Sequence, residues 1–401
     1  MKIAILNDLH PSEFPGAATI AYGLAEEASK SQIVEFWTSS TDPSKIAKGR
    51  FINEEILSTS RVRDARIAHS FISKIVAEFF STRSTFWYVK NLLRFKPEIV
   101  WVHQIGSRFP RTVILINKLF RVRTLVTLHD FSLALPRKLF PIDFGFATSE
   151  VDSILDCIET RNSSYKLKLH INEPFRFRIT YKIRIKLLRL LYAMADHVIA
   201  ISSLQAKILS LLGFRISGEI ANGIDKCKCP EQIRVVKSIL FAGRPNAKGL
   251  DQVIQAVAKS DWHLHLAGPN RLQEISSQTL LPSQYTYHGA MNRDDLFELL
   301  HQVQVVAVLS ECFDVYPTIT IESLRHGTAV ITTNTTGNSN LVRSISEDLI
   351  IQYASIPPLN VLEGVLQRLY KNSSISICSD STLSSVQESY NSYLNKYINS
   401  N

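Results

Sequence analysis

Long apolar runs are missing from this sequence of 401 residues, and so are regularly spaced cysteines. Nowhere do about 18 apolar residues follow one another without a charge, which excludes a helix that spans a membrane. The apolar run from Lys2 to Leu6 ends at Asn7 and Asp8, and it is shorter than the core of a secretion signal. We therefore expect a cytoplasmic protein whose contact with a membrane is at most peripheral, on the inner face of the cell membrane.

Residues that bind metals are too scattered to indicate a metal site. The cysteines are Cys157, Cys227, Cys229, Cys312 and Cys378. Cys227 and Cys229 lack the two-residue spacer of a zinc knuckle, and the five together do not form a disulfide framework. His263 and His265 share one face of a predicted strand without a third ligand nearby. No Asp-x-Asp motif occurs in the chain, so we predict no bound metal.

The formal charge of +9 is distributed unevenly along the chain. Residues 1–200 carry 29 basic and 19 acidic side chains, whereas residues 201–401 carry 16 and 17. The densest segment runs from Arg161 to Arg189, with nine basic residues and a single acid, Glu173. We therefore expect the first half to meet an anionic partner, which is a nucleic acid, a phospholipid surface or a phosphorylated substrate.

The basic segment has two competing periodicities. From Phe175 to Leu187 apolar and mostly basic residues alternate as in a strand, but a helix would align four cations in one stripe. These four are Arg178, Lys182, Lys186 and Arg189. We favour a helix for the later part, Lys186–Ala195, because it is rich in Leu and Ala. A solvated face explains such a segment, and so does an anionic membrane surface, which attracts each Lys or Arg by about 1 kcal/mol.

Short runs rich in Ile and Val alternate with segments of helical length, which is typical of parallel βαβ units. The first predicted strands are Lys2–Leu6, Ile33–Thr38, Ile99–His103, Thr124–His129 and His197–Ser202. The second series is Ser238–Ala242, His263–Ala267, Tyr285–His288, Val303–Leu309 and Ala329–Thr333. We predict an α/β protein with two doubly wound domains, in which ligands bind beyond the carboxyl ends of the strands.

The predicted domain boundaries follow from composition and spacing. Residues 1–221 form the first domain, the polar segment 222–235 is a linker, and residues 236–380 form the second domain. Tyrosines at helical spacing near the end predict a closing helix within residues 381–401.

The segment Phe241–Gly249 is a first site candidate. A strand leads into a glycine-bounded loop with Arg244 and Lys248, and the helix Asp251–Ala258 follows. Fixed cations beside a helix N-terminus suit a diphosphate. An ordinary βα turn with solvated cations explains the pattern equally well.

A second candidate combines Asp314 and Glu322, eight residues apart. The first lies in a loop after an apolar strand, and the second lies in a predicted helix that starts near Pro317 or Thr318 and stops at Gly327. Both carboxylates can accept hydrogen bonds from the hydroxyls of a sugar. The alternative is that one acid caps the loop and the other is a buried structural carboxylate.

Six motifs in order resemble the retaining glycosyltransferases of family 4. They are Pro15-Gly16-Ala17-Ala18, Thr127-Leu128-His129-Asp130, Ala195–Ser202, Asn222-Gly223-Ile224-Asp225, the Gly-Arg…Lys-Gly loop, and the acid-x7-acid segment that ends in His326-Gly327. The resemblance covers roughly residues 1–345. It implies the GT-B fold, with two Rossmann-like domains facing across a cleft and a C-terminal helix crossing back to the first domain.

The resemblance also implies how a donor is bound. Arg244 and Lys248 would hold the diphosphate of a nucleoside diphosphate sugar, and the loop of Gly16 would offer backbone amides to it. Glu322 would bind the ribose hydroxyls. The donor would be a UDP-sugar or a GDP-sugar, and no cofactor is implied.

Two residues are implied in catalysis. Asp314 stands where the family has a glutamate beside the transferred sugar, and it is one methylene shorter. His129 would lie near the same sugar, whereas we expect structural roles for His10 and His103. A second departure is Ala17, which replaces a common glycine and is expected to restrict the first loop.

We therefore predict a metal-independent retaining glycosyltransferase, of hexosyltransferase type, that acts on a glycan or lipid-linked acceptor. Bacterial surface polysaccharide such as lipopolysaccharide is the product that the resemblance favours, and the segment Arg161–Arg189 would meet the membrane. A sugar-nucleotide epimerase of the same fold is the alternative enzyme. A non-catalytic binder of an anionic surface or nucleic acid is the third hypothesis, supported by aromatic residues among the cations. We expect no nucleic-acid partner.

Overall fold

The computed structural model divides the chain into two compact units. The described residues are 1–12, 16–41, 53–58, 76–134, 140–141, 174–225, 234–243, 248–268, 273, 276–277, 279–310, 312–351, 362–367 and 383–399. Unit 1 comprises residues 1–139, 144–223 and 386–401, and unit 2 comprises residues 140–143 and 224–385. The division of the chain thus falls after Gly223 and again before Val386.

The described residues of unit 1 form a parallel sheet of seven strands. They are β1 (Lys2–Leu6), β2 (Ile33–Ser40), β3 (Asn53–Ser58), β4 (Ile99–Val102), β5 (Arg123–Leu128), β6 (His197–Ala200) and β7 (Gly218–Glu219). Their order across the sheet is β3-β2-β1-β4-β5-β6-β7. The central strands are buried on both faces, as expected when helices cover both sides of a parallel sheet.

Helices connect these strands. They are α1 (Ala17–Ser29), α2 (Thr82–Phe95), α3 (Val113–Leu119), α4 (Pro174–Tyr192) and α5 (Ser203–Leu211). The alternation of strand and helix forms crossovers between parallel strands, and the strand order reverses direction between β1 and β4. This reversal is the point of a doubly wound sheet at which ligands bind.

Within its described residues, unit 2 repeats the architecture with a sheet of six parallel strands. They are β8 (Val235–Ala242), β9 (His263–Ala267), β10 (Tyr285–Gly289), β11 (Val303–Val308), β12 (Ala329–Thr333) and β13 (Ile350–Ile351), in the order β10-β9-β8-β11-β12-β13. The principal helices are α6 (Leu250–Ala258), α7 (Arg293–Gln302), α8 (Thr318–Arg325) and α9 (Ser339–Arg343). The order reverses between β8 and β11.

The closing helix α10 (Val386–Tyr393) belongs to unit 1, as the fold prediction requires. It packs against α1, and Val386 lies beside Gly23. The ring of Tyr393 is fully buried, with its centroid 4.6 Å from that of Trp101. The chain therefore starts in unit 1, passes through unit 2 and returns.

All ten predicted strands are present, with ends that differ by a few residues. The strands of the two parallel sheets that the pattern missed are short or polar: β3 begins with Asn53-Glu54-Glu55, and β7 and β13 have two residues each. Such segments hydrogen-bond at a sheet edge without the buried apolar run that marks a central strand.

Of the two periodicities of Phe175–Leu187, the helical one is present, and the helix favoured for Lys186–Ala195 is confirmed as far as Tyr192. The backbone is helical from Pro174 to Tyr192, and tertiary packing of Ile185, Leu188 and Leu191 overrides the local alternation. Of the four cations predicted to share a stripe, Lys182, Lys186 and Arg189 are exposed, while the side chain of Arg178 and all of residues 161–173 lie outside the described part.

Within the described residues, none of the helices combines the length and the apolar character that crossing a bilayer requires.

Candidate functional site

Two residues predicted to bind donor meet in unit 2, where the strand order reverses. Lys248 follows β8 and Asp314 follows β11, and the ammonium of Lys248 forms an ion pair with the carboxylate of Asp314. The hydroxyl of Ser310 lies 3.3 Å from Oδ2 of the same carboxylate. The side chains of Lys248 and Asp314 are 33% and 17% exposed, so the pair remains open to solvent.

A cavity of about 190 Å³ lies beside this pair. It is lined by Phe241–Gly243 from the end of β8, Ala307 and Val308 from β11, Pro317–Ile319 at the start of α8, and Lys248. The first turn of a helix has backbone N–H groups without helical partners, and its dipole favours negative charge. The cavity therefore combines an apolar floor, a cation and a helix N-terminus, which is suited to an anionic ligand.

Gly249 explains how the loop of Lys248 comes so close to β11. Its φ is 74°, in the left-handed region that favours glycine. A Cβ at this position would lie 2.3 Å from the carbonyl oxygen of Leu309. The backbone therefore packs directly on the end of β11, and this approach places Lys248 beside Asp314.

The backbone of Asp314 is fixed by the loop after β12. Its N–H donates to the carbonyl of Thr335 at 3.3 Å, and its carbonyl accepts from the N–H of Gly337 at 2.8 Å. The side-chain amide of Asn338 donates to the carbonyl of Pro317 at 2.9 Å. The loop after β12 therefore positions both the acid and the start of α8.

Glu322 lies in the second turn of α8, with its side chain 14% exposed. Burial raises the pKa of its carboxyl, and the cation of Arg293 opposes this effect. The two side chains are 3.7 Å apart between Arg293 Nη2 and Glu322 Oε1, and the guanidinium also lies over the ring of Phe297. Arg293 was not predicted from the sequence, because its position at the start of α7 gives no signal of this pairing.

Arg244, the second cation predicted at the diphosphate, lies outside the described residues.

In unit 1, His129 follows β5 and stacks on His103, which follows β4. Nδ1 of His103 lies 2.8 Å from Nε2 of His129, and the rings are 18° from parallel. Burial, with His129 beside it, holds the pKa of His103 well below its usual range, so His103 is neutral. One proton is shared between the two facing nitrogens, and this fixes the orientation of His129. The structural role expected for His103 thus includes positioning His129.

The acid beside it, Asp130, organises the loop. Its two carboxylate oxygens accept from Gln104 Nε2 and from the N–H of Ser132, each at 2.8 Å, and its carbonyl accepts from Gln205 Nε2 at 3.0 Å. The loop that carries His129 is therefore closed on itself through Ser132 and tied to two other parts of unit 1, the loop after β4 and the helix α5.

A cluster of buried ion pairs also holds this loop in place. The carboxylate of Glu78 pairs with Arg111 at 2.5 Å and with Arg184 at 2.7 Å. Arg184, in the middle of α4, also donates to the carbonyls of Ser132 and Leu133 at 2.6 and 3.0 Å. One cation of the predicted basic segment is therefore a completely buried structural residue, which neither the solvated-face nor the membrane interpretation anticipated.

Gly16 precedes α1 with a φ of 95°, and an added Cβ would meet nothing within 4 Å. Its constraint is therefore conformational rather than steric. Ala17 is the first helical residue and does not have a positive φ, so its backbone adopts a conformation that alanine accepts without strain, and the expected effect of Ala17 on close approach of a ligand stays a prediction.

Asp8, just after β1, was not singled out from the sequence. Its carboxylate accepts from the backbone N–H groups of Ser107, Arg108 and Phe109 at 2.8 to 3.1 Å. These contacts join the loops after β1 and β4 at the reversal point of the unit 1 sheet.

The segment of unit 2 that forms this site is similar in sequence to a known protein family. Residues 235–355 match the family of glycosyl transferases group 1. All of the matched residues lie within unit 2. The match spans β8, the loop of Lys248, Asp314 and all of α8. A comparison with curated proteins finds no match to the chain.

The whole chain is similar to solved glycosyltransferase structures. Sucrose-phosphate synthase from Thermosynechococcus elongatus is 14% identical over 98% of this chain and 94% of that one, with a TM-score of 0.65. HepE from Anabaena, solved in complex with UDP and glucose, is 14% identical over the full length of both chains, with a TM-score of 0.63. WaaG, a glycosyltransferase involved in lipopolysaccharide biosynthesis, is 13% identical over 99% of this chain and 95% of that one, with a TM-score of 0.58.

These likenesses show the fold. The predicted GT-B fold is confirmed, and the resemblance to glycosyltransferases is confirmed at the level of group 1. Membership of family 4 remains a prediction, as do the roles of the individual site residues.

Proposed function

We propose that this protein is a retaining glycosyltransferase that moves a sugar from a nucleoside diphosphate sugar to a glycan or lipid-linked acceptor. The observation that carries the proposal is the ion pair of Lys248 with Asp314, set beside a cavity at the reversal point of a group 1 glycosyltransferase domain. Without a ligand the carboxylate neutralises the lysine. A diphosphate offers the same lysine two further negative charges.

The proposed chemistry follows from the charges that develop during transfer. When the bond between the sugar and the diphosphate breaks, positive charge grows on the anomeric carbon and negative charge grows on the leaving group. Lys248 and the start of α8 stabilise the diphosphate. Asp314, released from Lys248 by the donor, is available to the positively charged sugar.

Glu322 is proposed to bind the ribose of the donor. Its raised pKa and its distance from Arg293 describe a carboxylate whose buried position is only partly compensated. Two ribose hydroxyls would supply the hydrogen bonds that such a carboxylate requires. Gly16, Arg244 and His129 retain the roles that the resemblance implies.

Metal independence is part of the proposal. It is supported by the cation of Lys248 at the proposed leaving group and by the lack of an Asp-x-Asp motif in the sequence. UDP is the favoured nucleotide, because HepE was solved with UDP and with UDP-glucose.

The proposed acceptor is a component of bacterial surface polysaccharide. Two structures of the same fold support this class: WaaG is described as acting in lipopolysaccharide biosynthesis, and WaaB as a lipopolysaccharide outer core galactosyltransferase. Such acceptors are assembled at the inner face of the cell membrane, which agrees with the excess of basic residues in the first half.

Calorimetry of the protein with UDP, GDP and ADP tests the donor site. We expect one nucleotide to bind, and Lys248→Ala to weaken it by about 10-fold or more, because a charge-assisted contact to phosphate is lost. Asp314→Asn should bind the same nucleotide at least as tightly as wild type while transfer falls by about 100-fold. Lys259→Ala, an exposed lysine just beyond α6, is the matched control and should change neither.

Three outcomes would contradict the proposal. If none of the nucleotides binds, the donor site is wrong. If transfer by Lys248→Ala stays within a few-fold of wild type, the diphosphate assignment is wrong. If a bound sugar nucleotide is converted without any acceptor, the epimerase is the better description.

A further inference from the structure

Three neighbouring helices of unit 1 contain no acidic residue. α2, α3 and α4 carry three, one and six basic residues respectively, and neither Asp nor Glu. α3 packs against both α2 and α4, so the three helices form one layer on the sheet. Arg94 and Arg184 pair with carboxylates of other segments, and the remaining basic residues give this layer an excess of positive charge.

The same layer exposes large apolar side chains. They are Phe86 and Leu93 on α2, Leu119 and Phe120 at the end of α3, and Ile183, Leu187 and Leu190 on α4, with exposed fractions between 45% and 74%. Single exposed apolar residues are ordinary on a protein surface. Seven on one acid-free layer form a patch, and patches of this kind mark interaction sites. We call these seven residues and the cations among them the basic-apolar surface.

The pattern on α4 is ordered. Ile183, Leu187 and Leu190 are spaced at i, i+4 and i+7, and they form one stripe along the helix. Lys182, Lys186 and Arg189 each precede one of these residues and form the adjoining stripe, which is also exposed. An apolar stripe next to a cationic one is the arrangement of helices that lie in the interface of a membrane.

This exposed stripe is not a poorly packed core face. The opposite side of α4 is buried through Ile185, Leu188 and Leu191, and Arg184 is held by Glu78. The helix therefore has one apolar face that packs on unit 1 and a second that faces solvent. The second face adds nothing to the core, and an external partner would account for it.

The three helices end at the same edge of the sheet, because each runs antiparallel to parallel strands. Leu93, Leu119, Phe120 and Leu190 lie near these ends, together with the exposed cations Lys118 and Arg121. Two acids lie in the loops nearby, Glu98 and Asp196. Their carboxylates accept from backbone N–H groups at the starts of β1 and β5, at 2.9 and 2.7 Å.

We infer that the basic-apolar surface docks on an anionic phospholipid bilayer. The apolar side chains would enter the region of the headgroups, and the surrounding cations would contact lipid phosphates. Nucleic acid would also attract the cations, but it offers no environment for exposed leucine and isoleucine side chains. The basic-apolar surface differs from the membrane-binding segment Arg161–Arg189 predicted from the sequence. It combines residues of three helices, and it does not include Arg184, which is buried. The inference does not depend on the proposed function.

Co-sedimentation with vesicles tests the inference on the full chain. Wild type should bind vesicles that contain about one third phosphatidylglycerol, bind pure phosphatidylcholine at least about 10-fold less, and lose affinity between ~50 and ~500 mM NaCl. Two variants separate the contributions. Lys118→Glu/Arg121→Glu/Lys186→Glu should weaken binding by about 10-fold or more, and Leu119→Ser/Leu190→Ser should weaken it several-fold at equal charge.

Controls use matched residues of unit 2. Leu281→Ser removes a side chain that is 64% exposed, and Lys259→Glu reverses an exposed lysine, so both should bind as wild type does. All variants change exposed residues and should melt at the wild-type temperature. Wild type that binds UDP but not anionic vesicles would overturn the inference and leave the proposed function intact. Equal binding by Leu119→Ser/Leu190→Ser and wild type, or tighter binding of wild type to duplex DNA than to vesicles, would also overturn it.

Discussion

Glu78 shows at the scale of a residue how unit 1 holds charge in its interior. Its carboxylate is the shared counter-ion of Arg111 and Arg184, whose side chains are 4% and 0% exposed. Burial alone would raise the pKa of Glu78, but the guanidiniums of Arg184 and Arg111 outweigh it and hold this pKa below its usual range. The cluster joins α4 to the segment just after His129.

We therefore expect Glu78→Gln to lower the free energy of unfolding by about 3–5 kcal/mol, because it leaves two buried guanidiniums without a counter-charge. Urea unfolding followed by tryptophan fluorescence measures the change. Glu347→Gln is the matched control, since its carboxylate pairs with Arg343 at 2.8 Å but is 62% exposed, and its cost should stay below about 1 kcal/mol. Equal costs for the two variants would contradict the structural role of the cluster.

Residue pairs of this kind could not be predicted from the sequence. Lys248 and Asp314 were each singled out for their position after a strand, but their ion pair depends on the approach of two loops at Gly249. The partners Arg293 and Glu322 likewise meet only through the packing of α7 and α8. Local patterns identify the residue types that a site needs, whereas pairing is decided by tertiary structure.

At the scale of an element, α10 shows how much of unit 1 depends on a late segment. Tyr393 is fully buried against Trp101, and its hydroxyl accepts from Thr127 Oγ1 at 3.3 Å. We expect Tyr393→Ala to reduce the free energy of unfolding by about 3–5 kcal/mol, because it opens a cavity between this helix and the sheet. Asn395→Ala, an exposed position two residues further on, should cost under about 0.5 kcal/mol, and denaturant titration compares the two variants. If the two costs are alike, the helix does not complete the core.

Elements were predictable where their pattern is local. A buried run of Ile and Val marks a central strand in any sequence, and all ten such runs form strands here. α4 was ambiguous because its alternation of apolar and basic residues fits two periods. Burial of Ile185 and Leu188 against unit 1 favours the helix. A local sequence pattern carries no information about this tertiary packing.

At the scale of the whole molecule, buried histidines in both units make stability depend on pH. Burial lowers the pKa of His265 and of His326 to about 4, and that of His103 falls well below its ordinary value of 6.5. These groups stay neutral in the folded chain, while the unfolded chain takes up protons below about pH 6.5. Their contribution to stability is therefore fully present above pH 6.5 and is lost as the pH falls toward 4.

We expect the free energy of unfolding to decrease steadily between about pH 6.5 and 4.5, as urea titrations at several pH values would show. Glu78, whose pKa is held below 4.5, loses its contribution mainly at the acid end of this window, and Glu322, whose pKa is raised by burial, opposes the trend there. A histidine variant is therefore needed to isolate the histidine contribution. His265→Gln should flatten the slope relative to wild type. A stability that stays constant over the window would contradict the neutral state of these histidines.

The return of the chain to unit 1 has a consequence for synthesis on the ribosome. Trp101 leaves the ribosome early, but its partner Tyr393 emerges only after all of unit 2. At about 5–20 residues per second, the first sheet waits for tens of seconds with the site of α10 uncovered. Unit 2 is one continuous stretch of chain apart from residues 140–143, which are synthesised earlier. It does not wait for a later segment, so it can fold while unit 1 still lacks α10. Chaperones that bind nascent chains would therefore meet the surface around Trp101, and a message cut short after unit 2 would leave that surface permanently exposed.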